Sequence, residues 1–234
     1  LPKGIHFQNY IDVFKIPDLA SAALVSLGRT VLGTIGAVLG AAYLGFMFTQ
    51  QKMWARKFWY RFTIITMYFN AGLIPWYITM RNLHLTNNFL AYILPAIVQP
   101  FNIILVKTYM ESISPALQEA AEIDGASVMK VFMKIMLPLA KPIMATIAIF
   151  AAVGQWNSFQ DTLILMTKPA LYTLQFLLYQ YINQQFLVHE FPEVHLINRE
   201  DDLGIEGLRK AKMSYNPLDF ARKYEIRQID FQGE

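Results

Sequence analysis

The sequence predicts an all-α membrane protein, a bundle of about four transmembrane helices with a small α+β segment at its C-terminal end. Of the 234 residues, 55% are hydrophobic and only 16% are charged, a composition too apolar for an ordinary soluble domain. Four stretches are apolar over about 20 residues, the length of helix that crosses a bilayer core of about 30 Å. The chain contains no cysteine, which excludes disulfides, cysteine-based zinc sites and thiol catalysis.

The charge of the connections between these stretches predicts how they are oriented. The apolar stretches run over residues 20–48, 62–80, 89–109 and 142–159. The first connection, QQKMWARKFWYR, is basic without any acid, and the third contains Lys130, Lys134 and Lys141. Lys and Arg near span ends prefer the cytoplasmic side. Both connections are therefore predicted to be cytoplasmic, while the MRNLHLTNN turn and the residues after 156 face outside.

The first span contains a face of small residues, Gly33, Gly36 and Gly40. Such a face lets helix backbones approach closely in lipid. Packing within the chain is the favoured interpretation, and a dimer contact is the alternative. Arg29 belongs to the same span, where a charge costs about 2.5–3.5 kcal/mol at the bilayer centre. It is predicted to lie near the outer end of its helix or to line an aqueous path.

The third connection predicts two short helices joined by a sharp turn. Ser114 followed by Pro115 is typical of a helix start, and Gly125 can end that helix in a left-handed conformation. Ser127 can cap a second helix. Val128, Phe132 and Ile135 recur there at helical spacing, and Leu137 and Pro138 are expected to stop it. The loop lacks any nucleophile and base pair, so its geometry favours docking of a partner protein over chemistry.

These residues resemble the EAA loop of ABC importer permeases, E-A-A-x-x-D-G-A followed by I-x-L-P. The matching positions are Glu119, Ala120, Ala121, Asp124, Gly125, Ala126, Ile135, Leu137 and Pro138. FNAGLIPWYI, ILPAIVQPFNIILVK and QWNSFQDTLI are similar to the MalG-type branch, which imports oligosaccharides, and the resemblance covers residues 1–185.

The resemblance implies a multi-pass transport subunit of a bacterial cell membrane that is not an enzyme. Glu119, Ala120, Ala121, Asp124, Gly125, Ala126, Leu137 and Pro138 would dock a cytoplasmic ATPase subunit. A second permease subunit and an extracellular solute-binding protein are the other implied partners. The chain contains no G-x-x-x-x-G-K-[ST] string, so nucleotide binding is assigned to another subunit and no cofactor is expected.

Trp156 and Asn157 end the fourth span and match a position that the family resemblance places near the sugar pathway. An interfacial aromatic anchor explains Trp156 equally well, and both interpretations stay open. The family has six spans, so the chain is expected to be a fragment that lacks the first and last of them. ALYTLQFLLYQYINQ is predicted to be an amphipathic surface helix.

The charge changes sign near residue 185. Residues 1–185 contain 13 Lys and Arg against 7 Asp and Glu, and residues 186–234 contain 7 against 10. Basic connections in the apolar part are typical of membrane orientation, so no nucleic-acid partner is predicted.

Residues 186–234 resemble the C-terminal end of phosphatidylglycerol lysyltransferase-like acyltransferases of the GNAT type. The matching residues include Asn198, Glu200, Gly204, Gly207 and Tyr215. A permease domain over 1–185 followed by this fragment is the preferred division. The alternatives are an acyltransferase-related remnant and a non-functional chimera of two gene fragments. The four histidines are dispersed and lack the spacing of metal ligands.

Overall fold

The computed structural model describes residues 18–69 and 71–190, with the side chains of residues 184–190 outside the description. This part of the chain is helical and contains no strand. Two short 3₁₀ turns lie at Phe89–Tyr92 and Pro169–Leu171. The α-helices, numbered along the chain, are α1 (Leu19–Thr49), α2 (Arg56–Tyr68), α3 (Leu73–Asn82), α4 (Leu94–Ile97), α5 (Pro100–Glu111), α6 (Pro115–Ile123), α7 (Val128–Leu139), α8 (Lys141–Asn157), α9 (Gln160–Leu165) and α10 (Leu174–Glu190).

The long helix α1 is the centre of the bundle, and α4, α5, α8 and α10 pack against it. Glycine residues of α1 allow the neighbouring helices to lie close to its backbone. A Cβ on Gly40 would collide with the backbone carbonyl of Ile97, and one on Gly45 would lie 2.8 Å from the Val106 side chain. Because lipid provides little hydrophobic drive between helices, such close backbone contacts stabilise the bundle. The small-residue face predicted in the first span therefore packs within the chain.

Buried side chains form two clusters, one toward each end of the bundle. Near the Thr49 end, Phe46 packs on Phe132 with their ring centroids 4.9 Å apart. Near the Leu19 end, Tyr92 and Leu165 belong to a second cluster. The connection 50–55, which contains Lys52, and the loop that contains Lys130 and Lys134 both adjoin the first of these clusters. We call that side of the molecule the basic end and the other side the far end.

Two of the four predicted spans are long and apolar enough to cross a membrane: Leu19–Thr49, and Phe89–Glu111, in which the 3₁₀ turn, α4 and α5 follow one another. A third candidate is α7 together with α8, which are bent by 76° relative to each other. The predicted span over 62–80 is not one helix: α2 ends at Tyr68 and α3 begins at Leu73. Gly72 precedes α3 with φ of 88°, a left-handed conformation that glycine adopts without steric cost and that interrupts the helix.

Pro138 does not end α7, and the predicted stop at Leu137 is wrong. Leu137 is right-handed helical, and the helix continues to Leu139 before the bend at Ala140. Residues Phe132–Met136 form a π-helical turn, and the amide of Leu137 bonds to the carbonyl of Phe132. The wider turn leaves room for the proline ring within a continuous helix.

Candidate functional site

The first predicted docking residues lie on α6, which starts with Ser114 at the N-cap and Pro115 at the first helical position. The Ser114 hydroxyl does not bond to the helix, so proline at the first position is the start signal that the structure uses. Glu119 and Ala120 are exposed, whereas Ala121 is buried against the cluster at the basic end. The EAA triad therefore has an inner residue that packs and two outer residues that are accessible to a partner.

The residues after the triad form a Schellman motif. The amide of Ala126 donates to the carbonyl of Ala121 at 2.9 Å, and the amide of Gly125 donates to the carbonyl of Glu122 at 3.0 Å. Gly125 has φ of 75°, which a side chain would disfavour. The left-handed glycine predicted from the sequence is confirmed, and it reverses the chain within two residues.

The second half of the loop is anchored on α1. The Ser127 hydroxyl accepts a hydrogen bond from the amide of Lys130 at 3.3 Å, which is the predicted cap. Phe132 is buried and Ile135 half-buried, but Val128 is 46% exposed. The predicted apolar stripe is therefore wrong at Val128, because it lies in the first turn, beyond the edge of the cluster. The buried residues of α7 are Val131, Phe132 and Met136.

Two polar contacts that the sequence analysis missed fasten α6 to the end of α1. The side-chain Nε2 of Gln118 donates to Oε1 of Gln50 at 3.0 Å, and Nε2 of Gln50 donates to Oε1 of Gln118 at 3.4 Å. Lys52 forms a salt bridge of 3.1 Å with Glu122. These pairs join residues 68 and 70 positions apart, so no local pattern could have indicated them.

A polar cleft lies between α6 and the ends of α1 and α5. Its lining combines basic and acidic groups, among them Lys52, Arg56, Glu111, Glu119 and Glu122. Hydrogen bonds from Gln118 and then Lys52 hold the pKa of the Glu122 carboxyl below its ordinary value, and the charge of Lys52 adds to this. The Glu122 carboxylate is thus bonded to two side chains of the same chain, Gln118 and Lys52.

Ile123 is the most exposed apolar side chain near the motif, with 86% of its surface accessible. It ends α6, three residues after exposed Ala120, and exposed Asp124 follows it. The sequence analysis did not single it out, although its spacing from Ala120 places both on one helix face. Met129 and Met133 on α7 are also exposed. Leu137 is half-buried against the cluster at the basic end, whereas Pro138 is exposed.

Trp156 and Asn157 lie at the far end, in the last turn of α8, and both are exposed. The structure therefore brings the predicted loop residues together and separates them from this pair. Arg29 is also at the far end but is fully buried, with a salt bridge of 2.7 Å to Asp161. Of the two predicted settings for Arg29, the aqueous path is wrong, because the side chain is enclosed by α8, α9 and the ring of Tyr92.

The far end holds further hydrogen bonds between distant segments. Tyr92 bonds through its hydroxyl to Thr162 and to the carbonyl of Leu171, at 3.0 and 2.8 Å. The Asn87 side chain accepts from the amides of Thr167 and Lys168 at 2.6 and 3.1 Å. No group of His, Cys, Asp and Glu side chains suited to a metal ion occurs in the described portion.

The fold and the loop define a class: a membrane-integral helical protein with a short two-helix loop at its basic end. A family model for the binding-protein-dependent transport system inner membrane component matches residues 33–188. The chain belongs to this family, whose members are ABC transporter permeases, transport subunits without enzymatic activity.

Characterised relatives agree with this assignment. Over 179 residues the chain is 35% identical to protein LplC of Bacillus subtilis, covering 76% of this chain and 61% of that protein. It is 30% identical to the polygalacturonan/rhamnogalacturonan transport system permease protein YtcP of the same organism, covering 78% and 64%. The chain thus spans less than two thirds of the length of these relatives.

A solved structure shows the same fold. It is the crystal structure of a bacterial ABC transporter involved in the import of the acidic polysaccharide alginate, with a TM-score of 0.70 and 26% identity. The match covers 92% of this chain and 75% of that chain.

The acyltransferase-like part cannot be placed in this fold. Residues 191–234 lie outside the described residues, and the family match ends at residue 188. The α+β segment and the resemblance of residues 186–234 to acyltransferases stay predictions.

Proposed function

We propose that this chain is the transmembrane permease subunit of an ATP-driven ABC importer for sugars or oligosaccharides in a bacterial cell membrane. Family membership supports a transport role, and relatives named for polygalacturonan and arabinooligosaccharide transport support a carbohydrate. The observation that carries the coupling role is Ile123, an apolar side chain exposed on a projecting loop outside the candidate spans.

The outer face of α6 is the proposed docking surface for a cytoplasmic ATPase subunit. Ile123 and Ala120 provide a small apolar centre, with the carboxylates of Glu119 and Asp124 beside it. An apolar anchor surrounded by polar groups is the usual arrangement of an energetically important contact. Ala121, Gly125 and Ala126 act indirectly, because their Schellman turn fixes the direction in which this face projects.

The loop is joined to the bundle firmly enough to transmit movement. Gln118 holds α6 to Gln50 at the end of α1, and Phe132 holds α7 to Phe46 in the same helix. From α7 the chain continues through the bend at Ala140 directly into α8. Displacement of α6 by a closing ATPase would therefore act on α1 and α8 together, favouring one of two arrangements of the bundle.

Further partners follow from the same proposal. Helix α2 has no buried residue, and Phe58, Phe62 and Ile65 are exposed along it, so this face is available to a second permease subunit or to lipid. Four membrane crossings, with α2 and α3 forming one interrupted crossing, place the basic end in the cytoplasm. The far end would then face an extracellular solute-binding protein. Residues 1–185 are the proposed permease domain.

The experiment replaces Ile123 with Glu in the complete importer and measures ATP-dependent uptake of a labelled oligosaccharide. A charge at the centre of an apolar contact is expected to weaken ATPase association by about tenfold or more. Ile123→Leu is the matched control and should retain uptake. Gly125→Pro and Glu119→Lys should likewise abolish coupling while the chain still inserts into the membrane.

Unchanged uptake in Ile123→Glu would exclude this face as the docking surface. If the unaltered chain inserts but neither binds an ATPase nor supports uptake, the result favours the alternative of a non-functional chimera. Copurification of the ATPase, measured on the same membranes, separates lost docking from lost solute recognition.

A further inference from the structure

Arg29 is the one charged side chain in the described portion that is fully buried. Its Nε donates to Oε1 of Gln155 at 3.0 Å, one Nη donates to the carbonyl of Ser158 at 3.0 Å, and the other donates to Oδ2 of Asp161 at 2.7 Å. The guanidinium lies over the Tyr92 ring, with Cζ 4.4 Å from the centroid. Burying a charge is costly unless it is paired and hydrogen-bonded, and this setting fulfils both conditions.

All three hydrogen-bond acceptors of Arg29 come from one short segment, residues 155–161, which joins α8 to α9. Ser158 is the C-cap of α8, and carbonyls at a helix end lack a donor within the helix. Arg29 supplies such a donor. The hydroxyl of Ser158 also donates to Oδ2 of Asp161 at 3.2 Å. We call residues 155–161 the corner; Arg29 is the side chain of α1 that forms three hydrogen bonds with it.

Gln155 attaches the corner to a second segment of the chain, the 3₁₀ turn at Phe89–Tyr92. The side-chain Nε2 of Gln155 donates to the backbone carbonyl of Tyr92 at 3.3 Å, and Tyr92 is 2% exposed. Gln155 also lies against Gly33, where any Cβ would be within 2.8 Å of its side chain. The 3₁₀ turn that contains Tyr92 and helix α1 therefore both contact the side chain of Gln155.

Trp156 and Asn157, by contrast, are exposed, and they lie between the two Arg29 ligands Gln155 and Ser158. Arg29 therefore fastens the last turn of α8 on both sides of this pair. We propose that Arg29 is a positioning residue: it contacts no solute but fixes the placement of the exposed Trp156 and Asn157, the pair that the family resemblance places near the sugar pathway. The link to solute rests on the proposed function, whereas the link between Arg29 and the corner does not.

Arginine rather than a generic cation is required by this geometry. Its planar fork sends donors in three directions at fixed angles, while lysine offers a compact charge on a flexible stem. Arg29→Lys therefore keeps the charge but cannot reach all three acceptors together. Arg81→Lys is the matched control, because Arg81 is an exposed arginine on α3.

The test places a nitroxide spin label on Asn157→Cys in the full chain, within the membrane. The chain has no cysteine of its own, so the label marks this site alone. Arg29→Lys is expected to increase the mobility of the label, and Arg81→Lys to leave it unchanged. In the complete importer without the label, Arg29→Lys should raise the oligosaccharide concentration for half-maximal uptake about tenfold and leave maximal uptake nearly unchanged, as loss of positioned binding does.

Should Arg29→Lys fail to accumulate in membranes, Asp161→Asn is measured in its place, because it removes the charge of the partner with little change of volume. A label as immobile in these variants as in the parent would overturn the inference. A mobile label with a lower maximal rate and an unchanged half-maximal concentration would also overturn it, showing a merely structural role. If the parent importer takes up no oligosaccharide, the proposed function fails, while the label still decides whether Arg29 positions the corner.

Discussion

The Glu122 carboxylate shows how a single residue of the loop is set by its neighbours. It accepts from Gln118 at 3.0 Å and pairs with Lys52 at 3.1 Å. Both contacts favour the ionised form, so the pKa of Glu122 in the folded loop is lowered. Glu119 is exposed without such contacts to α1, whereas Glu122 helps to attach α6 to the residues after α1.

This assignment predicts a pH dependence. A lowered folded pKa means that the contact favours the folded loop above the ordinary glutamate pKa of about 4.3 and is lost as the pH falls through the folded value. A titration of the carboxylate followed by carbon NMR should therefore have its midpoint below that of a glutamate without hydrogen-bond or charge partners. Gln118→Leu and Lys52→Met should each raise the midpoint. A midpoint unchanged in both variants would contradict the network.

At the scale of elements, α1 can lie at the centre of the bundle because glycine occupies the positions where other helices approach it most closely. Gly36 and Gly40 face Ile97, and Gly45 faces Val106. The contacts bring α4 and α5 against α1 along successive turns. Gly154 in α8 is different, since a Cβ there would meet nothing within 4 Å.

The contrast gives a matched pair of substitutions. Gly40→Ala should destabilise the chain by about 1–3 kcal/mol, because the methyl group is forced into the Ile97 backbone. Gly154→Ala should be neutral or stabilise it by about 0.5–1 kcal/mol, because alanine is the better helix former and has room. Thermal unfolding in detergent measures both, and a Gly40→Ala protein as stable as the parent would refute the close packing.

At the scale of the whole molecule, the two ends differ in chemistry. The basic end carries the accessible loop with Ile123, and the far end holds a closed polar network around Arg29 and Tyr92. About 30 Å of helix separates Arg29 from Thr49 at 1.5 Å per residue, which is the thickness of a bilayer core. A bilayer with the basic end inside accommodates both.

Cysteine labelling tests this orientation, since the chain offers a cysteine-free background. In intact cells, a membrane-impermeant thiol reagent should label Lys168→Cys, which is exposed beside the 3₁₀ turn at the far end. Ile123→Cys should react only after the membrane is opened. Labelling of Ile123→Cys in intact cells would reverse the proposed orientation.

Local patterns were sufficient for much of this protein. The helical class, the continuous first span, the left-handed Gly125 and the Ser127 cap all depend on residues within a few positions of each other. Family membership was likewise indicated by the EAA loop and by three further short stretches, and it is confirmed by the match over residues 33–188. Such features can be predicted from the sequence because helix periodicity, helix caps and chain reversals depend on residues only a few positions apart.

Only the tertiary structure decided what lies further apart. In the structure the second predicted span is interrupted at Gly72, and helix α7 continues beyond Pro138. Arg29 is paired with Asp161, 132 residues away in the sequence. Gln118 is bonded to Gln50, and Ile123 is exposed. The physical reason is that burial, hydrogen bonding and charge pairing depend on which segments meet in space, and sequence spacing does not specify those meetings.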